Sequence, residues 1–532
     1  MESVFKTRVQ LFIRCTGLTD VEILSKSDPY VEVYQQNGSN WKLIGRTEVI
    51  WDNLDPEFST CIELDYFFEV ETRLNFKVFD MNLDRTGKEV QGEFLGQCEY
   101  SLCQIVGNRG HWLMKRLNDN ESQPVNGHIS VRAVEVDNES DTLVEVEFEG
   151  VKLDYSTWCC QRLKPMFILY RMMEADGHQR VYTSEDQRGT NPHWKKMSRT
   201  VGNLAGGDMD KQLIFEFNDF SSSGKHKAIG KFSFTLKELR EGDKTVFRVF
   251  SEDKLNKKYF GDVRIASIRF TPEPTFLEFL YGGCTINLVI GVDFTNSNKK
   301  PTDPKSLHYI DPVKRNPYQS ALYAVGNILI EYDNDKEVPM FGYGAIVNEK
   351  VNHCFAMNFD EDNPSVSGID GIMEAYSNSV QRVILSAPTY FAPIIAATVS
   401  MAKQANVDQF NQQYFILLII TDGQITDMRD TIDIIVEGSK YPMSIVIVGV
   451  GNEKFTSMDD LDSDDQLLEN SRKEKAERDI VQFVPYNRYS DNIEGLTSEV
   501  LKEIPREVQG FFKRKGIIPN PKMEHHQDIV YK

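Results

Sequence analysis

The sequence predicts two all-β sandwiches followed by an α/β doubly wound (Rossmann-like) domain. Three observations carry that prediction. The first half of the chain is written in short runs where apolar and polar residues alternate, separated by turn-forming clusters. That plan occurs twice, since Pro29 and Pro56 stand 27 positions apart and so do Pro165 and Pro192. From Leu277 onward, nearly continuous apolar strands alternate with helical patterns, as expected where a parallel sheet is covered on both faces.

In the first sandwich, residues 1–117, Val9, Leu11, Ile13 and Cys15 alternate with Arg8, Gln10 and Arg14. Val31 with Val33, and Leu74 with Phe76 and Val78, repeat the pattern. Turns fall at SKSDP (25–29), QNGSN (36–40) and LDPEF (54–58). Residues 118–127 (NDNESQPVNG) are polar and read as a linker. The second sandwich, 128–271, echoes the first: TNPHW (190–194) answers LDPEF, and KAIG (227–230) answers EFLG (93–96). An offset of 136 residues between the copies means tandem domains, because solenoid repeats are far shorter.

Pro272 and Pro274 mark the entry to the third domain, 275–515. Its strand Ile286–Val292 ends in Asp293, Thr295 and Ser297, and the strand Tyr414–Ile420 ends in Thr421, Asp422 and Gly423. Ligands of open α/β sheets sit at the carboxyl ends of strands. A donor set of carboxylates and hydroxyls, with neither sulfur nor imidazole, suits a hard cation such as Mg²⁺. Either aspartate alone reads more readily as a helix cap; the pair, with DxTxS at one strand, favours a site. The tail, 516–532, reads as a flexible end, and His525 and His526 have no cysteine there to complete a metal site.

DxTxS on a first strand and TDG on a later one resemble the metal-ion-dependent adhesion site of von Willebrand factor A domains. APTYFAP (387–393), FGYGA (341–345), PMSIVIVGVG (442–451) and RDIVQFVPY (478–486) resemble the form this domain takes in copines. The resemblance adds Thr389 to Asp293, Thr295, Ser297 and Asp422 as ligands of Mg²⁺ or Mn²⁺, with one position open to a carboxylate of a partner protein. SDPYV (27–31), LDPEF and FLG beside an acidic loop resemble C2 domains, again as copines carry them. In such domains about five carboxylates from two loops hold Ca²⁺, and the matching positions in the first sandwich are Glu22, Asp28, Asp80, Asn82 and Glu93. The family usually has Asp at all five, so Asn82 and the two glutamates imply weaker binding or fewer ions, with Asp20 placed to compensate. In the second sandwich the matching positions read Thr157, Lys164, Asp219, Ser221 and Lys227; lysines where the ion's charge belongs exclude calcium. There two readings stand side by side. In one, Lys164 and Lys227, with Arg162, Lys225 and His226, supply permanent positive charge toward anionic lipid, with Trp158 in an apolar loop tip (TWCC, 157–160). In the other, the domain is a degenerate copy kept as a spacer or partner surface.

Composition limits the functions available. A net charge of −20 argues against nucleic acid and against unaided approach to an anionic membrane, so a cation must intervene. The longest apolar runs are strand-length. The N-terminus MESVFKTR has neither an apolar signal region nor a myristoylation glycine, and the eight cysteines form no CxxC pair. A cytoplasmic protein, reversibly associated with the plasma membrane, is the expectation. No phosphate loop and no Ser-His-Asp or Cys-His arrangement stands out, so no catalytic residue is assigned. The expected function is calcium-dependent binding to anionic phospholipid membrane, with a protein partner taken up by the third domain. A calcium-independent scaffold is the alternative, and a Mg²⁺-dependent phosphoryl-transfer enzyme the lesser one.

Overall fold

Alternation in the sequence becomes facing in the strands. Along β1 (Thr7–Thr16), Val9, Leu11, Ile13 and Cys15 are buried while the residues between them are not. The computed structural model describes the chain apart from residues 1–5, 22–25, 84–88, 137–141, 154–162, 174–176, 222–225, 243–244, 252–257, 463–465, 523–528 and 531–532. The first sandwich continues through β2 (Pro29–Asn37), β3 (Asn40–Arg46), β4 (Ile62–Tyr66), β5 (Arg73–Leu83), β6 (Glu89–Ser101), a short helix α1 (Leu102–Gly107), β7 (Leu113–Asn118) and β8 (Pro124–Glu135). Its strand order is β3-β2-β5-β6-β7-β8-β1-β4.

The second sandwich comprises β9 (Leu143–Val151), β10 (Pro165–Met172), β11 (His178–Thr183), β12 (Met197–Thr200), α2 (Val201–Ala205), β13 (Leu213–Asp219), β14 (Lys227–Phe234), α3 (Leu236–Glu241), β15 (Val246–Phe250) and β16 (Tyr259–Thr271). Its order, β11-β10-β13-β14-β15-β16-β9-β12, repeats the first strand for strand. Its core is aromatic, with Phe167 stacked on Phe215 at 4.4 Å and edge-on to Trp194 at 5.1 Å.

The sequence reading needs two corrections here. Residues 118–127 do not link the sandwiches, and the second sandwich does not open at 128. β8 starts at Pro124 and pairs with both β7 and β1, burying Ile129, Val131 and Ala133, so the first sandwich runs on to Glu135 and the compact units divide between Val136 and Asp137. The polar run before it is a tight turn, where Asp119 Oδ1 accepts the N–H groups of Glu121 and Gln123. The tail is also tied down in part. Ile517 is buried, the Gln409 and Gln412 side chains both donate to the Ile518 carbonyl at 2.7 Å, and Ile529–Val530 adds a strand to β7.

The third domain opens with α4 (Phe276–Tyr281) and β17 (Thr285–Asp293), then α5 (Pro317–Leu329), β18 (Glu337–Tyr343), β19 (Ala345–Val347), β20 (Lys350–Asn352), β21 (Phe355–Ala356), β22 (Ser365–Ser367), α6 (Gly368–Arg382) and β23 (Ile384–Leu385). It continues with α7 (Ala392–Gln404), β24 (Gln413–Thr421), α8 (Met428–Gly438), β25 (Met443–Gly449), α9 (Thr456–Leu461), β26 (Val481–Pro485), α10 (Ile493–Leu501) and α11 (Ile504–Lys515). The main sheet runs β21-β18-β17-β24-β25-β26, parallel from β18 to β26. Both faces of β24 are covered. Ile416, Leu418 and Ile420 join one core, and Leu417 and Ile419 the other.

The first sandwich and the α/β domain form one compact unit and share a continuous apolar core. The Phe68 ring lies 5.0 Å from Phe276 and 4.7 Å from Tyr332, and the Tyr66 and Tyr332 hydroxyls hydrogen-bond at 2.5 Å. Gly107 permits the approach, since a Cβ there would sit 2.2 Å from the Glu331 carbonyl oxygen. Gln104 donates to Glu331 at 3.2 Å, and Arg109 donates to the Cys284 carbonyl at 3.3 Å.

Candidate functional site

β17 and β24 are parallel neighbours with Val292 opposite Ile420, so their carboxyl ends coincide. Asp293 is thereby brought beside Thr421 and Asp422. The hydroxyl side chains then link the two acids. Thr295 donates to Asp293 Oδ1 from its N–H at 2.8 Å and its Oγ1 at 2.6 Å, Thr421 Oγ1 donates to Asp293 Oδ2 at 2.7 Å, Thr295 and Ser297 hydroxyls meet at 2.9 Å, and Ser297 Oγ donates to Asp422 Oδ1 at 2.8 Å. Gly344, at φ +72°, lets the neighbouring chain pass so close that a Cβ would lie 2.3 Å from Thr295 Cγ2.

Thr389 is buried, and its carbonyl accepts the Thr426 N–H at 3.0 Å and hydroxyl at 2.9 Å. Its own hydroxyl takes no part in the bonds that join the other four residues. Two backbone N–H groups just beyond it, of Phe391 and Ala392, donate to the Asp427 carboxylate and hold that loop at the start of α7.

Asp293 is fully buried and Asp422 nearly so. Burial pushes both carboxyls above their ordinary range, and the charge of Asp293 pushes Asp422 further. Among the described residues no lysine or arginine pairs with either. Two enclosed acids joined through hydroxyls, without a basic partner, are the donor chemistry a small hard cation satisfies. Asp293, Thr295, Ser297, Thr389 and Asp422 are the residues that would hold it, and Ser297 is the exposed one.

At one end of the first sandwich, strand register gathers a second group of acids. Pro29 faces Asp80 across β2–β5, and Asp80 faces Glu93 across β5–β6. The Asp28 N–H donates to Asp80 Oδ1, while Asp28 Oδ1 accepts the N–H of Asp52 at 2.7 Å. Burial raises the Asp80 carboxyl, and the charges of Asp28 and Glu93 push it the same way, against the Asp28 N–H. Asn82 follows on β5, opposite Val90, and Asp20 is exposed on the preceding loop. Glu22 lies outside the described residues. The crowding fits a site for a divalent cation of several carboxylate ligands.

The same register recurs in the second sandwich with opposite chemistry. Pro165 faces Asp219, and Asp219 faces Lys227. Lys164 N–H donates to Asp219 Oδ1 at 3.0 Å, as Asp28 does to Asp80. The Lys164 ammonium reaches over the Phe220 ring, on which His226 stacks at 5.2 Å. Trp158, Arg162 and Lys225 lie outside the described residues, as does Thr157.

Comparison with known proteins agrees with this architecture. The C2 domain model matches residues 8–115 and 137–249, and the copine model matches 306–520. Copine-A of Dictyostelium discoideum is 36% identical over 526 residues, covering 97% of this chain and 86% of that one. The chain belongs to the copine family. Among solved structures, BON1-C2B is 22% identical, covering 25% of this chain and 95% of its own at a TM-score of 0.23. The calcium-bound pair of C2 domains of Extended-Synaptotagmin 2 is 16% identical over 49% of this chain and 97% of its own, at a TM-score of 0.21.

In this copine two residues near the sites escaped the sequence reading. His308 is fully buried behind the Asp293 strand end, stacked between Phe294 at 5.1 Å and Tyr318 at 4.2 Å. Its Nε2 lies 2.8 Å from the Asp293 carbonyl oxygen and its Nδ1 2.9 Å from the Tyr376 hydroxyl. A carbonyl only accepts, so Nε2 carries the proton and Nδ1 accepts from Tyr376. Burial lowers its pKa to about 3, so the ring is neutral. Trp51 is 57% exposed and precedes Asp52, whose N–H binds Asp28, so an indole stands beside the acidic end of the first sandwich. A lone Trp inside a polar turn was the available signal.

Proposed function

We propose that this copine attaches to anionic phospholipid membranes when Ca²⁺ occupies the acidic end of its first C2 domain, and that its A domain recruits a protein partner through an adhesion-type Mg²⁺ or Mn²⁺ site. The observation that carries the reading is the register that sets Asp28, Asp80 and Glu93 together on a chain of net charge −20. Such a surface repels an anionic bilayer until bound cations reverse its local sign. Asp20, Glu22 and Asn82 complete the ligand set in this reading, and Trp51 enters the interface beside it. The role is binding rather than catalysis, in the cytoplasm with reversible attachment to the plasma membrane. Among the described residues no helix is long and apolar enough to cross a membrane.

A calcium titration of co-sedimentation with phosphatidylserine vesicles tests this for the wild type and Asp28→Asn/Asp80→Asn. Calcium-dependent sedimentation that the double variant loses supports it. Equal sedimentation of both proteins with chelator and with calcium leaves a calcium-independent scaffold in its place. One observation favours a calcium-independent contribution as well: Lys164 and Lys227 occupy, in the second C2 domain, the register positions of Asp28 and Glu93.

A further inference from the structure

β19, β20 and β23 form a small antiparallel sheet beside the metal centre. In its register Ile346 faces Val351 on one side and Ile384 on the other, so these three side chains stand in one row on one face. The opposite face carries Ala345, Val347 and Leu385, which pack on the core. Alternation thus turns the Ile346 row outward, and Val351 is 46% and Ile384 65% exposed.

Two contacts fix the row to the metal centre. Ser386, two residues after Ile384, pairs with Thr295 and accepts the Asn296 N–H at 2.7 Å. His353, two residues after Val351, lies against the ring of Tyr390 at 4.5 Å, next to Thr389. Lys299 and Lys300 are exposed just past Ser297, and Lys350 stands beside Glu349 in the hairpin, while Arg382, two residues before Ile384, packs over the Phe359 ring next to Asp360, Glu361 and Asp362.

We infer that the row Ile346, Val351 and Ile384 is the specificity surface of the metal centre. It selects an acidic peptide segment in which the carboxylate presented to the metal is flanked by a large aliphatic residue. This rests on the adhesion-site reading of Asp293 and Asp422. The carboxylate supplies the outside ligand and the neighbouring apolar side chain covers the row. Lys299 and Lys300 meet further acids of the segment.

The test uses the full-length protein and two fluorescein-labelled decapeptides with one central Asp, flanked by Leu in one and by Ser in the other. Anisotropy titrations are run in Mg²⁺ and in EDTA. The Leu-flanked peptide is expected to bind about tenfold more tightly in Mg²⁺. Val351→Ser/Ile384→Ser, both at exposed positions, should bring it to the affinity of the Ser-flanked peptide while binding stays Mg²⁺-dependent. Asp293→Ala should remove Mg²⁺-dependent binding of both. Equal affinity of the two peptides, with Mg²⁺ dependence intact, overturns the inference and spares the metal centre. So does a Leu preference that survives the double variant. Mg²⁺-dependent binding of neither peptide overturns the adhesion-site reading and the inference with it. Conversion of a wild-type dimer to a monomer by the double variant, seen by gel filtration, assigns the row to a second copy and overturns it too.

Discussion

Replacing Asp422 by Asn should stabilise the α/β domain without metal and destabilise it with metal. The hydrogen bonds from Asp293 through Thr295 and Ser297 to Asp422 measure 2.6, 2.9 and 2.8 Å. The two carboxylates therefore lie within about 8 Å, and at an effective dielectric near 20 they repel by about 2 kcal/mol or more when both are ionised. Asn keeps an oxygen to accept the Ser297 hydroxyl, so the substitution removes the charge and preserves the bond. At about pH 8 in EDTA the variant is expected to melt a few degrees later than the wild type. With Mg²⁺ at about a thousand times its dissociation constant, the wild type gains about 4.1 kcal/mol and the variant little of it, so the order of the two melting temperatures reverses. Calorimetry in both conditions reads the reversal. An earlier melt of Asp422→Asn in EDTA, or equal stabilisation of both proteins by Mg²⁺, refutes the reasoning and leaves Asp422 an ordinary structural acid.

Trp51→Ala should weaken calcium-dependent vesicle binding about tenfold, the worth of burying roughly half an indole, without altering the melting temperature. Lys164→Glu/Lys227→Glu should lower vesicle sedimentation measured with chelator at low salt by tenfold or more, at about 1 kcal/mol for each lysine lost. Phe68→Ala, at the junction of the first sandwich and the A domain, should cost about 3–5 kcal/mol and split their common calorimetric transition in two. Burial raises the Glu507 carboxyl from 4.5 to about 7, so the folded protein holds a proton that the unfolded chain has lost between those values. Stability should fall as pH rises across that window, by up to about 3 kcal/mol, and urea titrations of Glu507→Gln should lose that slope.

The strand ends were legible because an unbroken apolar run that stops at a carboxylate states both burial and position. Asp293 and Asp422 needed only the parallel pairing of β17 with β24 to meet. The duplication was legible for the same reason, since alternation and proline spacing survive even where Asp28 and Glu93 are exchanged for Lys164 and Lys227. β8 was not, because its buried residues follow a polar turn that reads as a linker. His308 sits in a long irregular segment between β17 and α5, and its burial comes from Phe294, Tyr318 and Tyr376, which no local period announces. The junction of Phe68 with Phe276 and Tyr332 joins residues more than two hundred positions apart, with a whole domain between them in sequence. Such contacts are fixed by the fit of surfaces, and a phenylalanine packed within its own domain has the same sequence signature.

If the two acid clusters take different ions, as the proposed function requires, their geometry supplies a reason. The Asp28–Asp80–Glu93 end lies across three strands and loops, with Glu93 and Asp20 facing solvent, so its ligands can spread to the six to eight oxygens at 2.3–2.6 Å that Ca²⁺ requires. At the Asp293 centre every Asp293 oxygen already accepts a fixed hydroxyl or N–H, the ring of His308 holds the strand end from behind, and Asp422 is buried. A shell held that closely favours the smaller Mg²⁺, with its near-octahedral geometry and shorter bonds. On the proposed function, the first site would respond to a changing calcium level, while the second would stay loaded at steady magnesium with a position open to a partner.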